Sequence, residues 1–172
     1  MTASAQVVGF EGALLKRGFW LYVWEIRTSQ DVLVHYVGRT GDSSSSNAQS
    51  PFNRMGQHLG SNSKSNVLRR RMKALGIEPE SCTFRLVAYG PIVKEASSRE
   101  GHRTSRDHVG AMEKALAEAM EAAGYHVMNT VSCRTKLDSE AFVSVCAEFR
   151  MHFPQLKMAE PMVARSSSSE TT

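Results

Sequence analysis

Two apolar segments, "FWLYVWEIR" at residues 19–27 and "VLVHYVG" at 32–38, are separated only by "TSQD". This arrangement restricts the fold more than any other feature of the chain. Both segments are rich in aromatic and β-branched residues, which suit a pleated, half-buried surface. Trp20, Tyr22, Trp24 and Ile26 recur at every second position and so share one face of the first strand. Thr-Ser-Gln-Asp is turn chemistry. Two strands joined so briefly form an antiparallel hairpin. A turn near Ser29 sets position 22 opposite position 36, with the two Cβ atoms roughly 5 Å apart. The pair of phenols then reads either as an aromatic cross-strand contact or as two hydroxyls presented to a ligand.

The remaining elements follow by the same reasoning. Residues 41–51, "GDSSSSNAQSP", have loop composition. "FNRMGQHLG" supplies one or two helical turns ending at Gly60, and "SKSNVLRRRMKALG" a helix capped by Ser65 or Asn66 and ended by Gly76. Leu68, Met72 and Leu75 form its expected buried stripe. "SCTFRLVAYG", residues 81–90, reads as a third strand, and the polar stretch 93–106 as a loop. A helix is expected from about Asp107 to Ala123, stopped by Gly124, followed by an extended "YHVMNTVSC". A last helix is expected from Leu137 to about Phe153, capped by Asp138 or Ser139. No internal repeat is present. The fold class is α+β: a small three-stranded antiparallel sheet flanked by helices. Residues 1–17 form an N-terminal arm, 18–155 the domain, and 156–172 a disordered tail.

The chain has 172 residues, enough for one domain. No apolar run approaches the ~20 residues of a membrane helix, and the first residues lack the charged start and apolar core of a signal peptide. Three cysteines, far apart and without a C-x-x-C pair, point away from zinc and from a disulfide framework. A cytoplasmic location is the corresponding expectation. A net charge of +4 permits a nucleic-acid partner without requiring one. The placement of charge is more informative: residues 54–73 carry Arg54, Lys64, Arg69, Arg70, Arg71 and Lys73 and no acid. Such a run is either a solvated helix face or a surface that follows phosphates.

Individual residues sharpen this picture. Arg54 and His58, four apart, share one helix face. An arginine suits an oxyanion, and a histidine beside it can donate a hydrogen bond or move a proton. Glu113 falls inside the apolar stripe of Val109, Met112, Leu116 and Met120. A carboxylate there is costly unless paired with a cation or a metal. One carboxylate can hold a Mg²⁺ whose other ligands are water and substrate phosphate. Asn129 in "VMNT" is a turn residue, or one whose side chain caps a strand end or braces an active-site loop.

Taken in order, Tyr22, "YVGR" at 36–39, Arg54 with His58, Glu113 and Asn129 resemble the GIY-YIG nuclease family. The resemblance covers about residues 19–131. "NRMGQHL" is similar to the family's catalytic-arginine helix, and "MEKALAEAM…VMNT" to its glutamate helix and terminal asparagine. The first signature departs from the pattern: "WLYVWEI" has neither Gly nor Ile beside its tyrosine, and a shorter hairpin would put Trp24 in the place of Tyr22. The serine-rich insertion lengthens the gap before Arg54 and would stand beside the site.

The resemblance implies hydrolysis of DNA phosphodiesters with one Mg²⁺ or Mn²⁺ on Glu113. It also implies that Tyr22 is, or relays to, the base. Tyr36 and His58 would then bond the water or the phosphate, and Arg54 would stabilise the transition state. Arg39, Arg69, Arg70 and Lys73 would contact nucleic acid, and Asn129 would give support. The rival reading is a nucleic-acid-binding module of the same fold that does not cut. A homodimer, or a protein partner supplying specificity, is a further expectation; an apolar stripe of Phe142, Val145, Cys146 and Phe149 would serve as an oligomer surface but is more simply the packing face of a terminal helix against the sheet.

Overall fold

The computed structural model describes residues 4–42, 47–62 and 65–157. Three antiparallel strands, β1 (Phe19–Arg27), β2 (Leu33–Arg39) and β3 (Thr83–Val93), are arranged in the order β2-β1-β3. Between β2 and β3 lie α1 (Pro51–Leu59) and α2 (Val67–Ala74); after β3 come α3 (Arg99–Ala122) and α4 (Ser139–Arg150). The fold is therefore the expected α+β arrangement. Among the described residues, no helix is long and apolar enough to cross a membrane.

The central strand explains the aromatic content of residues 19–27. β1 is covered on both faces, so nearly every one of its side chains is buried. Phe19, Leu21 and Val23 face α3 and α4 in one core with Val37, Met112, Leu116, Met120, Phe142 and Phe149. Tyr22, Trp24 and Ile26 face α1 and α2 in a second core with Tyr36, Leu68 and Met72. The α4 stripe is thus spent within the chain and is not offered to a partner.

The register differs from the expected one. Tyr22 is opposite Gly38, and Tyr36 is opposite Trp24. The turn is centred one residue later than Ser29 because Asp31 takes a left-handed conformation (φ 61°) and the Thr28 amide bonds the Val32 carbonyl at 2.9 Å. This is a three-residue hairpin loop ending in a left-handed residue.

Other boundaries shift for local reasons. Pro51 opens α1 instead of closing the loop, with Ser50 accepting from the Asn53 amide at 3.3 Å; residues 43–46 of the loop lie outside the described residues. In α2 Leu68 and Met72 are buried, but Leu75 is 55% exposed. There the chain leaves the helix through Gly76 (φ +72°), with the Ile77 amide bonding the Met72 carbonyl. α3 begins at Arg99, well inside the stretch expected to be a loop, capped by Ser98. Its first two turns show no apolar stripe because their buried member is His102, stacked against Phe19 with ring centroids 5.0 Å apart. α4 is capped by Asp138, as anticipated. Leu156 is buried in the first core, so the packed domain reaches past 155; the tail from 158 lies outside the described residues.

Candidate active site

The site is built where the α1/α2 face of the sheet meets the C-terminal end of β2. Tyr22 is fully enclosed on β1, and its ring lies directly over Gly38. A Cβ at position 38 would come within 2.5 Å of the Tyr22 ring. The glycine after Tyr36-Val37 is therefore the gap through which the phenol reaches α1. Although Trp24, not Tyr22, stands opposite Tyr36, the Tyr22 hydroxyl remains part of the cluster.

That hydroxyl lies 2.6 Å from Nε2 of His58, which is buried in the last turn of α1. The rings of Tyr22 and Tyr36 flank the imidazole at centroid distances of 5.7 and 5.3 Å. Burial raises the Tyr22 pKa well above the ordinary phenol value, although Arg54 pulls it down. Burial, then the Arg54 charge, pushes His58 down to about 3. Burial, then Glu113, pushes Tyr36 up to about 12. At neutral pH both phenols carry their protons and the imidazole is neutral, so this is a hydrogen bond between uncharged groups whose direction is set by the imidazole tautomer. The His58 Nδ1 is buried and has no hydrogen-bond partner among the described residues.

Arg54 lies one helical turn before His58. Its Nη2 bonds Asp42 Oδ2 at 2.8 Å and its Nη1 bonds Gln57 Oε1 at 2.9 Å. Asp42 is a site residue that the sequence reading missed, because Gly41-Asp42 reads only as a turn. Gly41 (φ +74°) directs the chain so that the carboxylate meets Arg54.

Glu113 enters from α3. The expectation that a carboxylate on this stripe requires a cation is met by Arg39, whose Nε is 2.8 Å from Oε2. Arg39 also donates from Nη1 to the Arg106 carbonyl, and it crosses α3 at Gly110, where a Cβ would lie 2.8 Å from Nη1. Arg39, assigned to a phosphate by resemblance, is therefore engaged with Glu113. The Glu113 side chain is only 14% exposed. Burial raises its pKa to about 7, against the lowering by Arg39 and with a further push from Asp42.

Asn129 braces the site from outside. Its Oδ1 accepts from the Val37 amide at 2.9 Å and its Nδ2 donates to the Val37 carbonyl at 2.7 Å. The neighbouring backbone pairs with His35 through the His126 carbonyl and the Met128 amide. Together they satisfy the outer edge of β2 and hold Tyr36, Val37 and Gly38 in line.

The basic helix divides. Arg69 is ion-paired with Glu80 and reaches the Leu59 carbonyl at 3.4 Å, so it is not a free cation. Arg70 and Lys73 are exposed and form no ion pair among the described residues. Arg71, left out of the expected contacts, is the α2 arginine whose charge acts on Tyr36.

Among the described residues, no group of three or more His, Cys, Asp or Glu side chains is placed to hold a metal. A protein-built cage is absent there, and the carboxylate of Glu113 is mostly buried and paired with Arg39. Comparison with protein-family models, curated proteins and solved structures finds no match for this chain.

Proposed function

We propose that this protein is a divalent-metal-dependent endonuclease that hydrolyses DNA phosphodiester bonds. The observation that carries the reading is the convergence of Tyr22, Tyr36, Arg54 and His58 on one end of the sheet, with Glu113 reaching the same place through Arg39. These groups come from two strands and two helices, β1, β2, α1 and α3, spread over the sequence. They supply a proton acceptor, hydrogen-bond donors, a cation for an oxyanion and a carboxylate.

In this reading substrate binding opens the enclosed Tyr22 hydroxyl to an attacking water, which loses its proton toward the Tyr22 oxygen while the Tyr22 proton passes to Nε2 of His58 in the tautomer protonated at Nδ1. The water oxygen bonds phosphorus as the ester P–O bond breaks, and the leaving oxygen takes the electron pair of that bond and a proton from solvent. Tyr22 is thus a relay, since its raised pKa makes a standing phenolate base unfavourable. The charge of a bound phosphate would raise His58 from its depressed value toward neutrality and make it a better acceptor. Arg54 leaves Asp42 to meet the charge that develops on the phosphoryl oxygens. Glu113 would hold the Mg²⁺ or Mn²⁺, which when bound neutralises charge on the phosphate and leaving oxygen. Arg70, Arg71 and Lys73 would follow the backbone phosphates.

The test is nicking of supercoiled plasmid with Mg²⁺ or Mn²⁺, against EDTA, by wild type and Glu113→Gln. Metal-dependent nicking lost in the variant is expected; absence of cleavage by the wild type under all conditions refutes the reading. One observation favours a binding module instead. Arg54 and Glu113 are each already neutralised, by Asp42 and Arg39. Retarded DNA without cleavage would select that alternative.

A further inference from the structure

Beside the site, beyond Arg39, lies a cavity of about 430 Å³ that none of the roles above uses. Its walls are Arg39 and Asp42 from the end of β2, Arg106 and Asp107 from α3, and residues 132–135. Most of this charge is internally matched. Arg39 pairs with Glu113, Asp42 with Arg54, and Arg106 with Asp107 Oδ1 at 3.0 and 2.8 Å. Arg134 is the exception: it is exposed and forms no ion pair among the described residues. Ser132 and Thr135 place hydroxyls on the same wall.

The segment carrying them is tied to the fold at two points. Asn129 bonds Val37 on β2, and the Cys133 thiol contacts the Asp107 carbonyl at 3.7 Å. An arginine on an anchored segment, facing a polar recess with its charge uncompensated, suits an anion with several acceptor oxygens. Arg39 forms both a wall of this recess and the ion pair to Glu113, so the recess adjoins the proposed reaction centre.

We propose that this cavity is a subsite for a phosphate flanking the scissile one on the same DNA strand, bound by Arg134 with the Ser132 and Thr135 hydroxyls. The proposal rests on the phosphodiesterase reading and extends it: the enzyme takes an internal stretch of polynucleotide, gripped at two successive positions.

The test is fluorescence anisotropy of a labelled DNA duplex in EDTA over a KCl series. The proteins are wild type, Arg134→Ala and, as an exposed arginine outside the cavity, Arg150→Ala. Inorganic phosphate serves as a second probe. Loss of one phosphate contact lowers the slope of log K against log salt by about 0.9. That loss, with weaker binding for Arg134→Ala alone, is expected. Equal slopes for the two variants, with wild-type DNA binding and nicking intact, overturn the subsite and leave the nuclease standing. Arg134-dependent binding of inorganic phosphate without DNA binding makes the cavity a free-anion site and also overturns the proposal. A wild type that neither binds nor nicks DNA overturns the subsite and the nuclease reading together.

Discussion

Gly38→Ala isolates the packing on which the phenol cluster depends. Position 38 does not have a left-handed backbone, so alanine suits its conformation. In a strand interior alanine should gain roughly 0.5–1 kcal/mol over glycine. Against that gain, the new Cβ would lie 2.5 Å from Cε2 of Tyr22 and 2.7 Å from its Cζ and hydroxyl. The ring is held in a filled core beneath α1 and α2, and overpacking of this kind costs ~1–3 kcal/mol. If the ring yields, its 2.6 Å contact with His58 lengthens, and a buried hydrogen bond worth ~0.5–1.5 kcal/mol is lost as well.

The net expectation is therefore a destabilisation of about 2 kcal/mol in urea unfolding, with nicking lost more steeply than stability. The double variant Tyr22→Ala/Gly38→Ala supplies the internal check: with the ring gone, the alanine at 38 should cost nothing further, a coupling of at least ~1 kcal/mol. Gly38→Ala as stable as wild type or more so, or two costs that simply add, would refute the claim that Tyr22 lies over Gly38.

Other outcomes follow from the same geometry. Tyr22→Phe leaves Nε2 of His58 buried without its hydrogen-bond partner, so stability should fall by ~1–3 kcal/mol and nicking by a factor of ~10²–10⁴; unchanged nicking would remove Tyr22 from the relay. Asn129→Leu strips the Val37 amide and carbonyl of their partners; a loss of about 3 kcal/mol and faster hydrogen exchange at the Val37 amide are expected. The folded pKa of Glu113, about 7, lies above its ordinary 4.5, so from pH 4.5 to 7 the native state keeps a proton that the unfolded state has released. Stability should fall as pH rises through this window, by up to ~3 kcal/mol, while Glu113→Gln shows no such component in pH-dependent urea unfolding. Nicking should rise over the same range as the carboxylate ionises, and equal slopes for the two proteins would contradict the burial of Glu113.

Local sequence was sufficient for the three strands, their antiparallel order at the hairpin and the Gly76 helix stop, and it narrowed the α4 cap to Asp138 or Ser139, of which the fold uses Asp138. Each depends on residues a few positions apart, where propensity, alternation and turn chemistry act directly. It also marked Glu113 as needing a cation, because a carboxylate on an apolar stripe stands out in the chain itself. The start of α3 was not legible, since its buried residue in the first turns is a histidine whose partner, Phe19, is 83 residues away.

The hairpin register was left to the tertiary structure for a definite reason. Moving the pairing by two residues, from Tyr22–Tyr36 to Tyr22–Gly38, keeps every side chain on the same face, so a period of two cannot distinguish the registers. The partner of each charge was likewise decided only by folding. Arg39 meets Glu113, Arg54 meets Asp42, and Arg69 meets Glu80, while Arg134 forms no ion pair among the described residues. Composition and spacing state which charges exist; which of them remain uncompensated depends on long-range contacts that exist only once the sheet and helices have packed.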